Sequence, residues 1–151
     1  MDKFVLHSKY KPTGDQPTAI REIAKANARE IKRLEAAAKM PQHRDMQLSL
    51  HLLLYCGLRP QEVARLETTH IQPQQGRVIV PASSSKTGGG RAVPLRNKGK
   101  LRGVPLRIPG NWENRWRRLR RAAGFAPGQW VPDVCRHTFA SYHAAYFRDL
   151  A

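Results

Sequence analysis

The chain has 151 residues, which suits one ordinary domain with a single hydrophobic core. It carries 27 Lys and Arg against 11 Asp and Glu, a formal net charge of +16 that favours a polyanionic partner. Its longest apolar run, around Leu52–Cys56, falls well below the roughly 20 residues of a membrane span. With no apolar leader and only two cysteines, we expect a cytoplasmic protein and exclude a membrane protein or a secreted disulfide scaffold.

The first predicted elements are helical. Residues 1–17, with two prolines and a glycine, are predicted as a loop. Thr18–Lys39 is predicted as a helix because its isoleucines and leucine recur at helical spacing. The run His43–Cys56 alternates as a strand does, but its length and its Leu and Met content favour a helix buried on most sides. Gly57 ends that helix.

Shorter elements follow along the chain. Pro60–Leu66 is predicted as a helix with proline in its first turn. Two β-rich runs, Arg77–Val80 and Arg91–Leu95, predict a hairpin whose long, glycine-rich tip is able to approach a ligand closely. Two more predicted helices, Trp112–Ala123 and Pro132–Leu150, complete a mainly α fold with a small antiparallel β-sheet or hairpin.

Positive charge is concentrated in one part of the chain. Residues 86–121 hold 12 basic side chains and one acidic side chain, a net +11. Like charges at this density repel one another and destabilise the fold unless a polyanion neutralises them, as the phosphates of a nucleic acid do. We therefore expect this segment to bind nucleic acid. Trp112 and Trp116, four positions apart on a basic helix, are expected to pack into the core rather than to stack on bases.

Three basic residues differ from the clustered arginines of residues 115–121 in their mostly neutral or apolar surroundings. Arg59 lies at a helix junction, Lys86 at the hairpin tip, and Arg136 near the start of the last helix. A semi-buried arginine needs an anionic partner, and Glu62, one turn after Arg59, is placed to hold that guanidinium. Two guanidinium groups on one phosphate stabilise a pentacovalent transition state, and an ammonium beside them protonates a leaving 5′-oxygen.

The motifs around these residues carry a resemblance. LLLYCGLRPQEVARL contains Arg59, SSKTGGGRAVPL contains Lys86, and VPDVCRHTFASYH contains Arg136. In this order and spacing the three motifs resemble the catalytic domain of the tyrosine recombinase (phage integrase) family, from about His43 to the C-terminus. The resemblance implies the fold of that catalytic domain, in incomplete form.

The resemblance also implies a function in DNA integration and DNA recombination. Arg59 and Arg136 are expected to bind the scissile phosphate of double-stranded DNA, and Lys86 is the expected hairpin lysine. In that family a tyrosine attacks the phosphate to form a 3′-phosphotyrosyl link, without a metal ion or a nucleotide cofactor. Other recombinase protomers are a further implied partner. The residues expected to contact DNA elsewhere are Arg91, Arg115 and Arg118.

Two departures from the family pattern affect the expected activity. Asp133 stands where the family has a histidine, and it adds negative charge beside the phosphate. The family's nucleophilic tyrosine comes on a later helix, whereas this sequence continues for 15 residues after Arg136. Tyr142 and Tyr146 fall on the same predicted helix as Arg136 and are expected to be core residues. We therefore expect DNA binding without strand cleavage.

A second resemblance covers residues 4–23, FVLHSKYKPTGDQPTAIREI, which is similar to the start of the helicase-like B subunit of the bacterial excision-repair nuclease. That resemblance would give Tyr10 and Gln16 contacts with adenine. The phosphate-binding motif G-x-x-x-x-G-K-[ST] is missing from the sequence, so we expect no nucleotide to bind.

Two further hypotheses stay open: a non-catalytic basic DNA-binding module or gene remnant, and, with less support, a fragment of a repair helicase subunit. A metal site is not expected, because Cys135, His137 and His143 lack a second pair of ligands at suitable spacing. We divide the chain into residues 1–40, an N-terminal extension with a helix, and residues 41–151, a truncated catalytic domain.

Overall fold

The computed structural model describes residues 28–86, 88–130, 134–136 and 138–140. These residues form a mainly helical fold with one small antiparallel sheet, which confirms the predicted fold class. None of the helices in these residues is long and apolar enough to cross a membrane. The helices are α1 (28–38), α2 (Gln47–Tyr55), α3 (Pro60–Ala64) and α4 (Trp112–Ala122), and the strands are β1 (Ile71–Gln72), β2 (Arg77–Val80) and β3 (Arg91–Pro94). Residues 134–136 and 138–140 are also helical.

Helix α2 lies at the centre of the core. Every residue from Leu48 to Leu54 is buried, including Ser49 and His51, so the prediction of a helix surrounded on most sides is confirmed. The α-helix starts later than predicted, because Pro41–Met46 forms a 3₁₀ helix before it. Buried His51 is held in place by a 2.7 Å hydrogen bond between its Nε2 and the carbonyl oxygen of Arg96.

Helix α1 packs into the same core. Leu34, Ala37 and Ala38 are buried in it. Arg33 donates a hydrogen bond of 3.0 Å from Nε to the carbonyl oxygen of Ala123, and its guanidinium carbon lies 4.2 Å from the centroid of the Phe125 ring. These contacts join α1 to the segment that follows α4. The earlier part of the predicted helix Thr18–Lys39 lies outside the described residues.

The sheet has the order β1-β2-β3, with both pairs antiparallel. Val80 pairs with Arg91, so the ten residues between them form the hairpin tip. The tip begins with a 3₁₀ helix, Ala82–Ser84, and most of its other described residues are exposed. Strand β1 was not predicted, because two residues are too few to show an alternating pattern.

Helix α4 has an apolar face and a basic face. Trp112, Trp116 and Leu119 are buried, which confirms that the tryptophans pack inward. Both indole N–H groups have partners: Trp112 donates to Ser49 Oγ at 2.9 Å, and Trp116 donates to the carbonyl oxygen of Trp130 at 3.0 Å. The opposite face exposes Arg117, Arg118 and Arg121 to solvent.

Candidate functional site

At the start of α3, the carboxylate of Glu62 accepts a hydrogen bond from the backbone of the helix's own N-cap residue. Arg59 is the N-cap residue, with extended backbone, and Pro60 occupies the first helical position, where its missing N–H costs nothing. The Arg59 N–H donates to Glu62 Oε2 at 2.8 Å. The Glu62 side chain is only 1% exposed, so its negative charge is buried and must be neutralised by nearby donors.

The main partner of this carboxylate comes from strand β3. Arg91 donates from Nη1 to Glu62 Oε1 at 2.6 Å and from Nη2 to Oε2 at 2.9 Å, a bidentate pair. The Arg59 guanidinium makes one longer contact, 3.4 Å from Nη1 to Oε1. The expectation that Glu62 holds Arg59 is therefore met by a weak side-chain contact, whereas the stronger ion pair is with Arg91. We call Arg59, Glu62 and Arg91 the Glu62 cluster.

The Glu62 cluster carries two positive charges and one negative charge. Burial raises the pKa of Glu62, but hydrogen bonds from Arg91 and from the Arg59 N–H outweigh it and hold the pKa below its ordinary value. The hydrogen bonds to Glu62 raise the pKa of Arg91. About a third of each arginine side chain is exposed, 32% for Arg59 and 37% for Arg91. The cluster therefore presents surplus positive charge at the surface.

A tight contact joins the last described helical residues to the turn before α3. Gly57 has φ +70°, and a Cβ at that position would lie 2.5 Å from two ring carbons of Phe139. Phe139 lies three residues after Arg136, which is half-buried. The Arg136 segment is thus packed two positions from Arg59, and the segments of the two predicted arginine motifs are neighbours in space.

Lys86 is exposed at the tip of the hairpin. Its turn is closed by a hydrogen bond of 3.2 Å from the Gly88 N–H to the Ser85 carbonyl oxygen. Five residues later Arg91 joins the hairpin to α3 through Glu62. Segments that contain Arg59, Lys86 and Arg136 are therefore connected by the Glu62 cluster and by the Gly57–Phe139 contact.

The two predicted DNA contacts on α4 differ in their surroundings. Arg115 forms an ion pair of 3.0 Å, from Nη1 to Asp45 Oδ2, and so joins α4 to the 3₁₀ helix before α2. Arg118 is exposed to solvent. Sequence reasoning missed both Asp45–Arg115 and Glu62–Arg91, because each joins residues far apart in the chain and has no periodic signal.

Several predicted residues lie outside the described part of the chain: Tyr10, Gln16, Asp133, His137, Tyr142, His143 and Tyr146. The resemblance of residues 4–23 to the repair nuclease subunit and the role of Asp133 thus stay predictions. Within the described residues there is no group of three or more His, Cys, Asp or Glu side chains that could hold a metal ion.

A sequence profile of the phage integrase family matches residues 25–106, more than half of the chain. The chain belongs to the phage integrase family. The matched range includes Arg59, Glu62, Lys86 and Arg91, whereas Arg136 follows it. It also includes all described residues of α1, in agreement with the packing of that helix into the common core.

The fold is similar to the crystal structure of XerA recombinase, with a TM-score of 0.59 and 23% sequence identity. The similarity covers 76% of this chain and 48% of the XerA chain, so this chain spans about half the length of that structure. A search of curated proteins gives no significant match. The predicted tyrosine recombinase family and catalytic-domain fold are confirmed.

Proposed function

We propose that this integrase domain binds double-stranded DNA during DNA recombination and that Arg59 and Arg136 bind one backbone phosphodiester, with Lys86 beside it. The observation that carries the proposal is the Glu62 cluster, which joins the arginine at the start of α3 to the lysine-bearing hairpin. The packing of Phe139 on Gly57 supports a place for Arg136 in the same site.

The charges of the site suit a phosphate. Arg59 uses one N–H in a long contact with Glu62, so other guanidinium N–H groups are available to an anion. Arginine binds phosphate through two parallel hydrogen bonds, and two arginines stabilise the negative charge that builds up as phosphorus gains a fifth oxygen. The exposed position of Lys86 allows its ammonium to approach the leaving oxygen.

The proposed cleavage step has a simple balance. A tyrosine hydroxyl loses its proton to water as its oxygen forms a bond to phosphorus, the bond from phosphorus to the 5′-oxygen breaks, and Lys86 donates a proton to that oxygen. We assign phosphate binding and proton donation to this chain's residues. We propose that neither Tyr142 nor Tyr146 is the nucleophile, so binding without cleavage is expected.

Fluorescence anisotropy with a labelled DNA duplex tests the phosphate site. We expect Arg59→Ala and Arg136→Ala each to weaken binding about tenfold, since a hydrogen bond to a charged group contributes roughly 1.5–3 kcal/mol. Arg77→Ala is the matched control. Arg77 is an exposed arginine at the start of β2, the end away from the hairpin tip, and its Nε donates a hydrogen bond to Gln72 Oε1. Equal, small effects of all three substitutions would overturn the proposal.

A nicked duplex that traps covalent intermediates tests cleavage separately. We expect no adduct that survives denaturing electrophoresis. A phosphotyrosyl adduct on Tyr142 or Tyr146 would show that one of these residues is the nucleophile, and it would leave the roles of Arg59 and Arg136 to the binding experiment.

A second candidate function is a basic DNA-binding module without a phosphate clamp. The exposed arginines on α4 favour it, because Arg117, Arg118 and Arg121 lie on one solvent-facing side. Under this hypothesis Arg118→Ala weakens DNA binding while Arg59→Ala and Arg136→Ala leave it unchanged.

A further inference from the structure

We propose that Arg91 is a positioning residue that neutralises Glu62 and thereby leaves the Arg59 guanidinium available to an anion. The anion is the DNA phosphate of the proposed function, on which this part of the inference rests. Without Arg91, Glu62 would pair closely with Arg59 instead. This exchange of partners within the Glu62 cluster does not require DNA and has its own test.

The distances show which arginine satisfies the carboxylate. Arg91 reaches both oxygens of Glu62 at 2.6 and 2.9 Å. The Arg59 side chain lies at 3.4 Å from one of them, beyond the 2.7–3.2 Å that N–H···O bonds usually span. Glu62 therefore orients Arg59 through its backbone N–H and a single weak side-chain contact, without engaging the whole guanidinium.

The burial of Glu62 explains why Arg91 is needed. A buried carboxylate without a close cation is strongly destabilising, so it takes the nearest donor. If Arg91 were absent, the nearest guanidinium would be that of Arg59, three residues away on the same turn. Arg59 would then form the close pair with Glu62, and its hydrogen-bonding N–H groups would no longer face an incoming anion.

The position of Arg91 also ties the hairpin to α3. Arg91 is the first residue of β3, directly after the glycines of the tip, and it pairs with Val80 at the end of β2. Its bidentate bond to Glu62 thus fixes the base of the hairpin to the helix that begins at Arg59. Lys86 is carried on the loop held at this point.

A double-mutant cycle on folding stability tests the exchange of partners without DNA. In the unaltered background we expect Arg59→Ala to lower the folding equilibrium constant less than about tenfold, because Arg91 still neutralises Glu62. In the Arg91→Met background we expect the same substitution to lower it at least about a hundredfold, because Glu62 then loses the second of the two cations that the described residues place beside it. Equal effects of Arg59→Ala in the two backgrounds would overturn the proposal.

Arg91→Lys provides a second background if Arg91→Met fails to fold. Lysine keeps the charge but lacks the planar fork that bonds both oxygens. We expect the Arg59→Ala effect in this background to exceed that in the unaltered protein and to fall short of that in Arg91→Met. An effect no larger than in the unaltered protein would count against the inference.

DNA binding tests the consequence for Arg59. We expect Arg91→Met to weaken duplex binding about tenfold, and Arg91→Met with Glu62→Gln to return it to within about threefold, because a neutral Gln does not draw Arg59 away. The charge-matched controls are Arg77→Met and Arg77→Met with Glu67→Gln, which alter exposed side chains. Rescue that is no greater than in the control pair would show a simple effect of net charge and overturn this part.

The two proposals fail in different ways. If Arg59→Ala does not weaken DNA binding, the proposed phosphate site is wrong, and the stability cycle still decides the role of Arg91. If Arg59→Ala weakens DNA binding but the stability cycle is additive, the phosphate site stands and the positioning role of Arg91 is wrong.

Discussion

Glu62 combines almost complete burial with a pKa below its ordinary value of 4.5, because hydrogen bonds from Arg91 and Arg59 outweigh desolvation. Below that value the unfolded chain binds a proton at Glu62 more readily than the folded chain does. The stabilisation is therefore fully present above the ordinary pKa and is lost as pH falls through the lower, folded-state pKa.

We expect the unfolding free energy to fall as the pH is lowered below 4.5 and to fall less in Glu62→Gln, which carries no titrating group. At neutral pH Glu62→Gln costs about 2 kcal/mol through weaker hydrogen bonds to the arginines. Urea unfolding at several pH values measures both effects. Glu113→Gln is the control, because this side chain is 84% exposed. Parallel pH profiles for Glu62→Gln and the unaltered protein would contradict the prediction.

The two cysteines are buried thiols. Burial raises the pKa of Cys56 to about 11 and also raises the pKa of Cys135. Thiolate is the reactive form, so this raised pKa leaves Cys56 almost entirely in its unreactive thiol form near neutral pH. We expect a thiol reagent to label native protein far more slowly than protein unfolded in guanidinium, where both cysteines react. Rapid labelling of native Cys56 would contradict this prediction.

At the level of elements, the turn between α2 and α3 depends on a glycine for two reasons. Gly57 has φ +70°, and the Phe139 ring fills the space that a Cβ would need. We expect Gly57→Ala to destabilise the fold by about 3 kcal/mol, from backbone strain together with overpacking. Denaturant unfolding measures the loss.

Gly88 is a matched control for this turn. It has φ +76°, but a Cβ there would meet nothing within 4 Å. Gly88→Ala is expected to cost about 1 kcal/mol, the contribution of backbone strain alone. The difference between the two substitutions isolates the packing of Phe139, and equal losses would show that this contact contributes nothing to stability.

The two faces of α4 predict a separation of stability from binding. Trp116→Ala is expected to cost about 3–5 kcal/mol, because it removes a buried ring and its hydrogen bond to Trp130. Arg118→Ala, on the exposed face, is expected to change stability by less than about 0.5 kcal/mol. Thermal unfolding measures both. A large loss of stability in Arg118→Ala would show that this face is packed against another part of the chain.

For the whole molecule, local patterns in the sequence predicted most elements. Composition identified α2 as a buried helix in spite of its strand-like alternation, and the β-rich runs on either side of the glycines predicted β2 and β3. From the order and spacing of the motifs, Arg59 and Arg136 are expected to bind the same phosphate. The Gly57–Phe139 contact brings the segments that contain them together.

The sequence alone does not predict which side chains far apart in the chain form ion pairs. Arg91 was expected to contact DNA, but its strongest contact is with Glu62, 29 positions earlier. Arg115 is also expected to contact DNA, and it pairs with Asp45, 70 positions earlier. Ion pairs of this kind have no fixed spacing, and only the packing of α3 against the hairpin, or of α4 against the 3₁₀ helix, decides which opposite charges meet.

The distribution of charge over the whole molecule predicts how salt affects DNA binding. Residues 86–121 hold a net +11 of the +16 charge, and described arginines such as Arg102, Arg107 and Arg118 are exposed. Each phosphate that a cation neutralises contributes about −0.9 to the slope of log K against log salt concentration. We expect a steep negative slope for duplex DNA, of about −4 or beyond, measured by anisotropy over a salt titration.

Substitutions then show which charges produce that slope. We expect Arg118→Ala to make the slope shallower by about 0.9, the effect of one lost phosphate contact. Arg29→Ala is the control, because Arg29 is an exposed arginine on α1, outside the basic segment. If Arg29→Ala and Arg118→Ala change the slope equally, overall charge rather than a defined basic surface attracts the DNA.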